Sequence, residues 1–528
     1  IRRNRMFKRS LSAQGIWHLK YLLPVILLLF LFLHGSNFPA VAAGSQAHLK
    51  GRFGPLHDWP VVPIAMMLMP DGRVIAYGTD TVGTQIGNLL YVIWDPSLGV
   101  GSNAFETLPN TTLTDIYCAG QAHLPDGRGL FFGGDAFLNT KRQYAHANVN
   151  IFDSSTDTLT HQPKNMTFKR WYATAVTLPN GEHVVMGGRN SRDFPGTPTI
   201  PATVATYSPT PEVRTASGRW RVLSSATSNA AYGALGGTGV AWFYPRAWVN
   251  PQGKLFILGH DGAMYKLDPS GTGTLSKYKS TILPGLNSLP SIMYAPGRLL
   301  SIRDNRTALV VNINGSGEPV VTPGGTLAKK RQYSNATVLA NGSVWINGGS
   351  STGNDLAGAA LDSELWNPGT KIWKATARAA TPRLYHSTSL LLPDGSVITG
   401  GGGTPGPLTQ LNGEIYYPPY LFKKDGSGQF SLRPVIVDAP TTMMSWNEQF
   451  SIEASENISR VTLVRIGATT HAFNNETRFF NLPTPQKGNR IVTVKTPASA
   501  NAAPPGFYML FVWNLDGTPS VARIVQIG

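Results

Sequence analysis

The sequence predicts an all-β fold, a ring of seven four-stranded units followed by a smaller β-sandwich, and three observations predict it. Composition is the first. Of 528 residues only 14% are charged, while 56 are glycine and 39 proline, a balance that suits many strands joined by tight turns. The second is a repeated hairpin signature: an apolar run, a Pro-Asp-Gly type of turn, a second apolar run and a closing glycine element. The third is a change after residue 430 to short alternating strands without that signature.

Taken in order, residues 1–43 read as a targeting segment, expected as a domain of its own. Arg2, Arg3, Arg5, Lys8, Arg9 and Lys20 make a basic start, Tyr21–Leu33 is apolar, and Ala40-Val41-Ala42-Ala43 offers small residues for cleavage. The apolar stretch is short for a membrane span, so a cleaved signal peptide is expected, with a membrane anchor as the uncleaved alternative. The expected location is secreted, extracellular, periplasmic or in the cell envelope. Six basic and no acidic residues lie in this segment, so its removal lowers the formal charge from +16 to +10. No dense Lys/Arg run is interleaved with aromatics, and a nucleic-acid partner is not expected. Cys118 is the single cysteine, which rules out an internal disulfide and leaves apolar filler, an intermolecular link or chemistry of its own.

From Pro60 onward the turn appears as Pro70-Asp71-Gly72, Pro125-Asp126-Gly127, Pro179-Asn180-Gly181, Pro251-Gln252-Gly253, Pro296-Gly297, Ala340-Asn341-Gly342 and Pro393-Asp394-Gly395. Glycines follow at Gly78, Gly133-Gly134, Gly187-Gly188, Gly259, Gly348-Gly349 and Gly400-Gly401, and the copy at Gly297 is weak and lacks them. The turn glycines are spaced 55, 54, 72, 44, 45 and 53 residues apart. Copies at that spacing, each with room for about four strands, predict a seven-bladed kelch-type β-propeller over residues 50–430. The widest interval is Pro/Thr-rich near Pro195–Pro211, which predicts a long loop on one face. Residues 431–528 then predict an immunoglobulin-like sandwich, with strands at Gln449–Glu453, Arg460–Arg465, Arg490–Lys495, Tyr508–Trp513 and Ala522–Gln526.

Equivalent positions at one end of the inner strands of a propeller converge on one face. Nine residues before each turn glycine stand Pro63, Cys118, Tyr172, Tyr244, Ser288, Tyr333 and His386, with Tyr385 beside the last. Taken singly, each fits aromatic packing or buried filler. Together they make a Tyr/His/Cys cluster at a channel mouth, and imidazole and phenolate suit copper.

The residues also carry a resemblance. The stretches Asp115-Ile116-Tyr117-Cys118-Ala119-Gly120, Arg170-Trp171-Tyr172-Ala173-Thr174-Ala175, Arg383-Leu384-Tyr385-His386-Ser387 and Thr469-Thr470-His471-Ala472-Phe473-Asn474 resemble the copper-radical oxidases, the galactose oxidase and glyoxal oxidase family. So does Pro504–Val512 with Gly517-Thr518-Pro519-Ser520, and the likeness spans residues 50–528. What the resemblance implies is one copper ion held by Tyr172, Tyr385, His386 and His471. It also implies a self-generated thioether between Cys118 and Tyr172, a radical on that tyrosine, and Tyr385 as base. His471 would arrive on a loop of the C-terminal domain. The implied partners are dioxygen and a small aldehyde or primary alcohol, with hydrogen peroxide as product.

Galactose oxidase stacks a tryptophan over the cross-linked tyrosine, two residues past the glycine pair of that blade. Here that position is Asn190, leaving Trp171, Phe194 or another loop residue to take the place. The carbohydrate-binding domain of galactose oxidase is not seen ahead of the propeller. Both departures point toward the glyoxal oxidase branch. Trp171, Asn190, Tyr244, Arg246, Arg331 and Tyr333 are expected to line the substrate pocket, with arginines holding a carboxylate or hydroxyl or pairing with loop carbonyls. The competing readings are a non-catalytic kelch scaffold that binds glycans at a cell surface and a copper or zinc hydrolytic site.

Overall fold

The computed structural model describes residues 45–528 except 86–89, 136, 139–140, 143–144, 191–205 and 234–240. The expected signal segment and most of the Pro/Thr-rich insertion, Phe194 included, lie outside the described residues. Seven antiparallel sheets follow one another as the blades of a propeller, with inner strands Ala65–Leu68, Gly120–His123, Trp171–Thr177, Arg246–Val249, Ser291–Ala295, Gln332–Val338 and Ser387–Leu391. The copy that looked weak, at Gly297, is a complete blade of four strands. Its turn is shorter, and strand pairing does not need the trailing glycines.

The turn chemistry explains why the signature repeats. Every turn glycine sits at positive φ, from +65° at Gly297 to +90° at Gly127, a region that costs other residues energy. Asp71, Asp126, Asn180, Asn341 and Asp394 each accept the N–H two residues on, closing the hairpin with a side-chain turn.

The glycine pairs join one blade to the next. The N–H of Gly134 donates to Arg170 O at 2.9 Å, Gly188 to Trp242 O at 2.8 Å and Gly349 to Arg383 O at 2.7 Å. A Cβ on Gly133 would come within 2.1 Å of Arg170 O, and one on Gly348 within 2.4 Å of Arg383 O. Only a residue without a side chain lets the following blade's entrance press so close. Three of these entrances are further fixed by buried ion pairs inside the blades, Arg170–Glu212, Arg331–Glu364 and Arg383–Glu414.

The ring closes by joining the two ends of the propeller. Arg52–Phe53 and His57–Asp58 pair antiparallel with Asn412–Tyr417 and complete the seventh blade from the N-terminal side. The C-terminal domain is one sheet built on Gln449–Arg465, a single 17-residue strand with irregular register where two separate strands were predicted. It pairs with Phe479–Leu482, Asn489–Lys495 and Gly506–Asn514, over a core that includes Ile452, Leu463, Tyr508 and Val512. A loop from this domain enters the ring. Ala468–Thr470 adds to the first blade inside its inner strand, with Ala65 opposite Thr470 and Met67 opposite Ala468. Below it, Glu476 pairs with Arg465 at 2.9 Å, lies 3.7 Å from His123 and accepts from Thr177. Among the described residues no helix is long and apolar enough to cross a membrane.

Candidate metal centre

The entrances that the glycine pairs hold are where the candidate residues stand. Cys118, Tyr172, Tyr244, Tyr333 and His386 have φ of 55°, 66°, 40°, 62° and 67°, all in the left-handed region that side chains rarely adopt. His471 and Ala472 on the incoming loop do the same, at 49° and 60°. The blades share this turn from the entrance into the inner strand, so equivalent side chains are aimed alike. Backbone bonds keep the ring in register, from Tyr172 N to Cys118 O at 3.0 Å and from Tyr244 N to Tyr172 O at 2.9 Å.

The side chains meet. Tyr172 and Tyr385 are joined through their hydroxyls at 2.7 Å. The imidazoles of His386 and His471 lie 4.7 Å apart between centroids and nearly perpendicular. Donor atoms of Cys118, His386 and His471 all fall within 4.8 Å of one another, with Cys118 Sγ 3.6 Å from His471 Nε2. All three residues are buried.

Hydrogen bonds orient both histidines. His386 Nδ1 faces the carbonyls of Gly403 and Thr404, each at 2.8 Å, so it carries the proton and Nε2 bears the lone pair, with the Tyr117 hydroxyl 3.5 Å away. Thr470 gives its hydroxyl proton to Ile64 O at 3.1 Å and therefore accepts from His471 Nδ1 at 2.6 Å. His471 Nε2 is thus also left as a lone pair facing the cluster. Burial pushes His471 well below its ordinary value, which keeps it neutral, and pushes the phenols of Tyr172 and Tyr385 well above theirs. Two imidazoles with outward-tied Nδ1 atoms and two touching phenols form a donor set that fits a borderline cation such as Cu(II).

Aromatic rings wall the centre. Phe243 stacks on Tyr172 with centroids 4.7 Å apart and planes 23° from parallel. Trp171 meets the same ring edge-on at 4.3 Å. The stacked aromatic is therefore supplied by the next blade's entrance, one residue before Tyr244. Counting along the chain from Gly187-Gly188 could not find it, although an aromatic beside a site position in the adjacent blade is a usable signal. A cavity over the centre is lined by Phe243, Asn287, Tyr333, Tyr385, His386 and His471, among others.

Of the residues expected in the pocket, Tyr333 lines this cavity and meets the Tyr385 ring at 5.2 Å. Tyr244 and Arg246 line a neighbouring one. Arg331 does not reach either. It is buried, donates to Glu364 and to Gly348 O, and serves as an internal strut of its blade. Asn190 holds Thr206 O through its backbone N–H and lines neither cavity.

The chain is similar in sequence and fold to several known proteins. Residues 433–527 match the model of the galactose oxidase-like early set domain. A galactose oxidase of Gibberella zeae is 28% identical over 90% of this chain and 70% of its own. An aldehyde oxidase of Arabidopsis thaliana is 25% identical over 82% of this chain and 75% of its own, and one of Vitis pseudoreticulata is 28% identical over 80% and 84%. A fungal alcohol oxidase solved in complex with copper superposes with a TM-score of 0.78 at 24% identity, covering 90% of this chain and 99% of that one, and shares its fold.

Proposed function

We propose that this chain, which is similar to galactose oxidase and to aldehyde oxidases and matches the galactose oxidase-like early set domain over residues 433–527, is a copper-dependent oxidase which oxidises a primary alcohol or a small hydrated aldehyde with dioxygen, forming hydrogen peroxide. The observation that carries the reading is the convergence of Tyr172, Tyr385, His386 and His471, with Cys118 beside them, at the mouth of the ring. Those two phenols and the Nε2 atoms of the two histidines would hold the metal. Bound there, copper supplies a one-electron acceptor and a Lewis acid.

The protein's own groups carry the remaining work. The substrate's two electrons and two protons leave together, and dioxygen takes up both pairs as hydrogen peroxide. Tyr385 is the base for the substrate hydroxyl proton, a role it would take as the phenolate held by copper, since burial by itself keeps its phenol protonated. Tyr172 stores one oxidising equivalent, assisted by a thioether to Cys118 whose formation passes the thiol hydrogen and one ring hydrogen, with their two electrons, to dioxygen as hydrogen peroxide. Phe243 stacked on Tyr172 spreads and shields that ring. The walls of Phe243, Leu384 and Tyr333 keep bulk water from the reacting groups. Residues 1–43 direct the chain out of the cytoplasm, so peroxide is released outside the cell or in its envelope.

Identity to the galactose oxidase and to the Vitis aldehyde oxidase is 28% in both cases, over 90% and 80% of this chain. Copper loading followed by metal analysis and a peroxide assay on glyoxal, methylglyoxal, galactose and simple primary alcohols tests the proposal. One copper per chain and peroxide from at least one substrate are expected, both lost in Tyr172→Phe. Protein that binds no copper and makes no peroxide would be a propeller scaffold instead.

A further inference from the structure

Blades 4 and 5 hold a second cavity that shares its Phe243 and Asn287 walls with the one over the candidate metal centre. Arg246 and Arg303 both line it. They are only 8% and 4% exposed. Arg246 donates to Tyr244 O at 3.3 Å and to Asn287 O at 2.9 Å, and its guanidinium lies 4.3 Å from the centroid of the Phe473 ring. Arg303 donates to Leu283 O at 2.6 Å, Gly259 O at 3.2 Å and His260 O at 2.9 Å. Gly285 packs against it, where a Cβ would come within 2.9 Å of Cζ.

All of those acceptors are neutral. Three other buried arginines of the ring have carboxylates, in the pairs Arg170–Glu212, Arg331–Glu364 and Arg383–Glu414. Among the described residues no carboxylate forms an ion pair with Arg246 or Arg303. Asp261 acts on Arg303 from a distance, and it is exposed with its carboxylate accepting from Ala263 N. Burial pushes Arg246 down to about 9, with Arg303 adding repulsion, and Arg303 down to about 10. Both stay charged at neutral pH. Two buried cations with no counter-ion are costly to the fold, and an anion in the cavity relieves that cost.

We propose that the Arg246–Arg303 cavity is an anion site that receives the carboxylate of the substrate, so that the preferred substrates are small aldehydes or primary alcohols bearing a carboxylate. The substrate part rests on the oxidase reading; the anion site itself does not. The shared walls place a group held there next to the space over Tyr385 and His386.

Two measurements on the full chain test this separately. Acetate is titrated into copper-free protein while the thermal midpoint is followed, with sodium chloride at equal ionic strength as control. A saturable rise specific to acetate is expected, reduced in Arg246→Lys and abolished in Arg303→Gln. With copper-loaded protein, the ratio of kcat/KM for glyoxylate to that for glycolaldehyde is expected to fall about tenfold or more in Arg303→Gln, and less in Arg303→Lys, which keeps the charge if the glutamine variant folds poorly. A midpoint that responds to chloride as to acetate, or equally in all variants, overturns the anion site. An unchanged ratio overturns the substrate assignment. Acetate-specific stabilisation in protein that oxidises nothing would uphold the anion site while rejecting the oxidase.

Discussion

Thr470 decides which nitrogen of His471 faces the cluster. Its hydroxyl has one proton, and that proton goes to Ile64 O, so the Nδ1 of His471 has to be the donor between them. Thr470→Val keeps the shape and removes the acceptor. Copper affinity is expected to fall about 10- to 100-fold, as for other groups that orient a ligand, while Thr470→Ser stays close to the parent in a chelator competition. Phe243→Leu removes the stacked ring but not the bulk, and kcat/KM is expected to drop about three- to tenfold, in line with the energy of one aromatic pair. Steady-state rates on the copper-loaded variants check it. Both residues also mark the limit of what could be read from the chain. Cys118, Tyr172 and His386 share one offset from a turn glycine and were legible for that reason. Phe243 stands beside the repeating position Tyr244 but stacks on a ring of the preceding blade, and Thr470 orients its neighbour His471 only because its proton goes to Ile64 O some 400 residues away, contacts that no local period reveals.

At the scale of elements, the hairpin and its glycine pair are a single device. The pair presses the next entrance inward, the entrance turns through positive φ, and the side chain at that turn points to the channel mouth. The repeat was legible because turn chemistry is local. The long strand Gln449–Arg465 was not, since its irregular register hides the continuity. Nor was the pairing of Ala468–Thr470 with the first blade, which depends on a contact across some 400 residues. Beneath that loop, burial alone would raise Glu476, yet Arg465 and His123 outweigh it and hold the carboxylate well below its usual range. Its stabilising contribution is present above the ordinary carboxylate value and is lost on acidification. Burial pushes His183 down to about 4 from an unfolded value near 6.5. Between those values the unfolded chain binds the extra proton, so stability falls as pH drops, by about 3 kcal/mol over the window. Denaturant midpoints at pH 7 and pH 4.5 are expected to differ accordingly, and His183→Leu is expected to flatten the slope.

On the scale of the whole molecule, the centre belongs to no single part. The second, third and seventh blades supply Cys118, Tyr172, Tyr385 and His386, and the C-terminal domain supplies His471. Closure of the ring by Arg52–Phe53 and His57–Asp58 keeps the first and seventh blades adjacent, and so keeps His386 beside the loop that carries His471. Seven copies of a hairpin announced the ring, and a change of pattern announced the second domain. Their joining through the channel was implied only by the family resemblance. The proposed oxidase needs Cys118 and Tyr172 joined as one unit, and the mass of the tryptic fragments 74–128 and 171–189, after copper loading in air, tests that most directly. One linked species lacking two hydrogens is the expected result. Two separate fragments, with a free thiol on the first, would contradict it.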